Sequence, residues 1–64
     1  MLKVAHREYG EGMAICFQEV SGKTYIVVDF GEKKEKFLYP DAFADELEAK
    51  DPEIARAIAE ELAR

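Results

Sequence analysis

The chain has one cysteine, Cys16, so no disulfide can form within it. It also has one histidine, His6, and one thiol with one imidazole falls short of the four ligands of a structural zinc site. The acidic residues lack the Asp-x-Asp-x-Asp-Gly spacing of a calcium loop, so no metal and no cofactor is expected. No apolar run approaches the roughly 20 residues that span a bilayer. Met1-Leu2-Lys3-Val4-Ala5-His6-Arg7 lacks the apolar core of a signal peptide, and no membrane partner is expected. A lone thiol inside an apolar strand suits a reducing compartment, which makes the expected location cytoplasmic.

Positive charge is scarce too. Nine basic residues face fourteen acidic ones, and the net charge is −5. Residues 1–40 balance six of each sign, whereas residues 41–64 hold three basic and eight acidic groups. An acidic tail repels phosphate, which counts against nucleic acid as the main ligand. At 64 residues the chain makes one domain. A domain of this size buries only about 60 % of the surface its unfolded form exposes, so a partner or a second copy would support it.

The chain is organised around His6-Arg7-Glu8-Tyr9-Gly10-Glu11-Gly12, where two glycines mark a sharp backbone corner. A short strand is expected over 3–9. A second begins at Met13, with Met13, Ile15 and Phe17 on one face and Ala14, Cys16 and Gln18 on the other. Val20-Ser21-Gly22-Lys23 reads as a tight hairpin turn. Thr24–Phe30 is β-branched and aromatic almost throughout, the strongest strand signal in the chain. Gly31–Lys34 turns into a shorter strand over Glu35–Tyr39, with Phe37 and Tyr39 on one face, and Pro40 stops the sheet.

After Pro40 the period lengthens. Phe43 and Leu47, four apart, predict a short amphipathic helix over 41–50. Asp51-Pro52-Glu53 predicts a second helix, with Asp as N-cap and Pro at the first position. Along it Ile54, Ile58 and Leu62 recur every four residues, and Glu60 and Arg64 have the favoured spacing for an ion pair. Strands followed by helices give an α+β arrangement. The division is a sheet part over 1–40 and a helical tail over 41–64, within one domain. The expected core is Val4, Ile15, Phe17, Ile26, Val28, Phe30, Phe37, Phe43, Leu47, Ile54 and Ile58.

No set of side chains reaches a reaction, and no enzyme is expected. Cys16 has no cationic neighbours in sequence to activate it, so a structural role is expected. His6, beside the glycine corner, is expected to fix that corner by hydrogen bonding to backbone; Ser21, the nearest candidate nucleophile, lies in a surface turn. Asp41, Asp45, Glu46, Glu48, Asp51 and Glu53 read as helix-start acids and a solvated face. Lys33, Lys34 and Lys36 offer a phosphate-contacting hairpin, though Glu32 and Glu35 interleave with them. Strand alternation cannot seat every aromatic inside, which leaves Tyr9, Tyr25 and Tyr39 as the expected partner-binding surface. The stripe Ile54, Ile58 and Leu62 packs on the sheet, forms a homodimer seam or docks into a partner groove.

The corner His6-x-x-Tyr9-Gly10-x-Gly12, then Met13-Ala14-Ile15 and Tyr25-Ile-Val-Val-Asp-Phe30, resembles a small bacterial SH3/Tudor-like module. That module closes helicases of the UvrD/PcrA type, and a related one opens CarD and the transcription-repair coupling factor. The resemblance covers residues 4–39, with the glycines its strongest part. It implies a strongly bent four-stranded antiparallel sheet whose role is contact with another protein, RNA polymerase in the known cases. Residues 36–43 and the acidic helices after them lie outside that pattern. The expected fold is therefore this small SH3/Tudor-like curved sheet followed by two C-terminal helices. The expected function is a non-catalytic protein-protein interaction module, with nucleic-acid binding through the lysine hairpin and a homodimeric structural protein as alternatives.

Overall fold

Alternating side chains and two tight turns produce a chain of hairpins. The computed structural model describes residues 2–64. It contains strands β1 (Leu2–His6), β2 (Gly10–Val20), β3 (Lys23–Asp29), β4 (Lys34–Leu38) and β5 (Leu47–Ala49), a 3-10 turn (Asp41–Ala44) and helix α1 (Pro52–Leu62). The five strands form one antiparallel sheet in the order β4-β3-β2-β1-β5, curled into a half-barrel. The class is α+β, with five strands and one α-helix rather than four and two.

Ser21 and Gly22 join β2 to β3, and both have positive φ (52° and 79°), as the tight two-residue hairpin turn requires. At the next turn the Asp29 carboxylate accepts the Gly31 N–H at 2.8 Å, and Phe30 N–H bonds to the Lys33 carbonyl. The Asx geometry fixes where β4 begins.

The first expected helix does not form. Asp41–Ala44 is a single 3-10 turn, and Leu47–Ala49 is extended, pairing with β1 so that Val4 faces Ala49 and His6 faces Leu47. A helix of ten residues is marginal on its own. Extending Leu47–Ala49 instead satisfies the open edge of β1 and puts Leu47 and Ala49 on the buried face. The division at residue 40 therefore fails, because the later segment completes the sheet. Residues 39–46 carry the chain from one edge of the sheet to the other, and Ala42 among them is buried.

The second helix starts as its sequence predicts. The Asp51 carboxylate accepts the N–H groups of Glu53 (2.9 Å) and Ile54 (3.2 Å), with Pro52 at the first position. Arg64 lies past the C-cap Ala63, so the expected Glu60–Arg64 pairing falls outside the helix.

Val4, Ile26, Val28, Phe37, Ala42 and Leu47 form the core on the inner face, and Leu2, Ala14, Phe30, Tyr39 and Phe43 pack against it. Ile58, 5 % exposed, is the only residue of α1 that is buried. Of the expected core, Ile15, Phe17 and Ile54 are exposed. β2 has a bulge at Ile15, where Ala14 pairs with Val28 but Cys16 pairs with Val27, and Phe17 beyond it is exposed because β1 does not extend alongside it. The extra residue moves Phe17 onto the face of Ala14 and Ile26, and Cys16 onto the outer face with Val27. No helix among the described residues is long and apolar enough to cross a membrane.

Candidate interaction surface

The corner is built by His6, which is 6 % exposed. Its Nδ1 accepts the N–H groups of Glu8 (3.0 Å) and Tyr9 (3.2 Å), tying the turn to the last residue of β1. An accepting Nδ1 places the proton of the neutral ring on Nε2. Nε2 faces Glu46 Oε2 at 3.6 Å, too far for a hydrogen bond, and has no other partner among the described residues. The Tyr9 ring stacks on the imidazole at 4.4 Å, and Lys33 Nζ sits 3.5 Å above the Tyr9 ring. Phe30 and Phe37 close the cluster from the inner face. Gly10 turns with φ of 82°, while Gly12 is the close-approach glycine, lying directly beneath Phe30. The expected corner-fixing role of His6 is thus what its nitrogen does.

The three tyrosines do not share a surface. Tyr9 is packed between His6 and Lys33 at the corner. Tyr25 pairs with Gln18 and Leu38, which puts it on the outer face beside Val27. Tyr39 lies on the inner side, its ring 4.9 Å from Phe17 and 6.0 Å from Phe43. Its hydroxyl donates to Glu61 Oε1 of α1 at 2.6 Å. Burial first, then this bond and the charge of Glu61, push the Tyr39 phenol from its usual 10.0 up to about 12.

The lysine hairpin is only partly free. Lys33 is held over Tyr9 and pairs with Glu35 at 3.7 Å, and Lys36 lies 5.6 Å from the Tyr25 ring centroid on the outer face. Lys34 is exposed at the start of β4. The helix stripe is split: Ile58 is buried in a cleft shared with Phe43 and Leu47, leaving Ile54 and Leu62 exposed on either side. Cys16 is exposed rather than built into the interior. The acidic residues make no metal-binding group among the described residues. Asp51 instead caps α1 and Glu46 faces His6.

What periodicity missed is a patch centred on Phe17, the most exposed large apolar side chain at 58 %. Ile15, at the bulge, is exposed beside it, whereas Val20 is exposed on the outer face of the same strand. Leu2, Ala14, Ile15 and Phe17 line one shallow cleft, and Leu2 with Ile54 lines the next, so apolar surface runs from β2 to the first turn of α1. The signal available in the sequence was length: a sharp corner at 7–9 pairs Leu2 with Ala14, so the rest of the alternating run has no β1 opposite it. Comparison with known proteins finds no matching family, no matching curated protein and no matching solved structure.

Proposed function

We propose that the chain is a non-catalytic protein-interaction module of a bacterial cytoplasmic protein, built on an SH3/Tudor-like sheet and docking through the Phe17 patch. The observation that carries this reading is a 58 % exposed phenylalanine, lining one cleft with Leu2, Ala14 and Ile15, on a strand that outruns its neighbour. Large exposed aromatics on one rigid strand are what protein interfaces are built from. The SH3/Tudor-like resemblance is supported by the work each corner residue does: His6 binds the turn, Tyr9 stacks on it, Gly10 turns, and Gly12 lets Phe30 approach. A non-catalytic reading is supported by His6, whose Nδ1 is occupied and whose Nε2 is buried. Lys33, held by Tyr9 and Glu35, weakens the nucleic-acid alternative.

The test is capture from bacterial lysate, and of purified RNA polymerase as the partner the resemblance suggests, by wild type beside Phe17→Glu. Circular dichroism establishes that the variant is folded. Loss of a captured protein on substitution is the expected result. An identical set of captured proteins with both, or none above bare resin, sinks the reading.

A further inference from the structure

The edges of this sheet are protected unequally. The outer edge of β4 is short and carries Lys34, Glu35 and Lys36, charges that discourage strand addition. β5 has α1 packed beside it. The third edge is the part of β2 that runs past β1. Leu2 pairs with Ala14, and among the described residues no strand lies opposite 16–20 on that side. This segment has no proline and no lysine, and its one charge is Glu19.

The hairpin decides which backbone groups are free. A two-residue turn closes Val20 and Lys23 as a hydrogen-bonded pair. Such pairs alternate along an antiparallel ladder, so Gln18 and Cys16 also direct their backbone groups to β3. Phe17 and Glu19 direct theirs away, at the open edge.

We infer that this edge pairs with the same edge of a second copy, antiparallel, with the two-fold axis at Gln18. The inference rests on the interaction-module reading in that it uses the same strand. A second copy brings the same open edge, whose free backbone groups at Phe17 and Glu19 match its own when the strands run antiparallel, and the side chains then select the register. Centred on Gln18, each Phe17 lies opposite the partner's Glu19, and the free N–H and C=O groups of both residues meet. On the outer face Cys16 lies opposite the partner's Val20, and Gln18 opposite the partner's Gln18, an uncharged row. Centring on Glu19 would set two carboxylates directly opposite, which is destabilising. Centring on Phe17 would oppose Glu19 to Ile15, the bulge residue, where the ladder is disrupted.

The register makes the test specific. Position 18 meets itself in a non-hydrogen-bonded pair, where Cα atoms are about 4.5 Å apart and a disulfide fits. In a Cys16→Ser background, Gln18→Cys is expected to cross-link almost completely under mild oxidation. Val20→Cys in the same background, and wild type with Cys16 alone, are expected to stay at background. Sedimentation equilibrium of wild type should give twice the 7.3 kDa chain mass, reverting to the single mass in Phe17→Glu. A single mass at the highest soluble concentration, with no excess cross-linking at position 18, overturns the inference. So does a dimer that cross-links at position 20 instead, or one that survives Phe17→Glu but is lost in Ile54→Glu. A monomeric wild type whose lysate partner is still lost in Phe17→Glu overturns the second copy and leaves the interaction module standing. A position-18 cross-link with capture indifferent to Phe17→Glu does the reverse.

Discussion

A methyl group added at Gly12 would lie 2.7 Å from Cδ1 of Phe30 and 2.9 Å from the Asp29 carbonyl oxygen. The backbone oxygen cannot step aside as a side-chain tip can, so Gly12→Ala is expected to destabilise by about 1–3 kcal/mol, read from the urea midpoint. At Gly10 there is open space, and the cost comes from the left-handed backbone instead. Gly10→Ala should cost about 1–2 kcal/mol and Gly10→Asn clearly less, since asparagine tolerates that region. His6→Phe keeps a stacking ring but removes the acceptor for two N–H groups. A loss of about 1–3 kcal/mol is expected, and a neutral result would mean that water serves the corner equally well. These residues were legible because glycine and histidine have few other uses beside a turn. The exposure of Phe17 was not legible, because it depends on how far β1 accompanies β2, and one inserted residue at Ile15 also reverses which face every later side chain takes.

Among the elements, α1 was readable from its first three residues, since capping is chemistry local to Asp51, Pro52 and Glu53. Asp51→Ala should lower stability by about 1 kcal/mol, measured by thermal or urea unfolding. β5 was not readable, because three residues carry no periodicity of their own and their partner, β1, is remote in sequence. Phe43 and Leu47 imitate a helix spacing across a turn and a strand. The tie between β4 and α1 predicts a pH dependence. The Tyr39 phenol holds its proton more tightly folded (about 12) than unfolded (10.0), so the folded state binds more protons between those values. Its contribution is fully present below about pH 10 and is lost as pH rises toward about 12. Tyr39→Phe should flatten that alkaline decline while leaving the neutral-pH dependence unchanged, as pH-resolved urea titrations would reveal.

For the molecule as a whole, the α+β class and the order of the first four strands followed from pattern and turn chemistry. The closing of the sheet did not, because it depends on which edge a late segment reaches. A chain ending at Pro40 lacks Ala42 and Leu47, both part of the core, and leaves β1 with one neighbour. It should lose cooperative unfolding, and a sharp transition in that truncation would show that β5 is dispensable. The pairing of Val4 with Ala49 also sets a schedule. The β2–β3 hairpin closes through a local loop, whereas the second side of β1 is paired only by a segment far along the chain, and long loops close late. Val27→Ala should therefore slow refolding, while Ala49→Gly should chiefly accelerate unfolding. On the ribosome, the nascent chain presents β1 with an empty side until residues 47–49 have cleared the exit tunnel, and their emergence is what lets the half-barrel close.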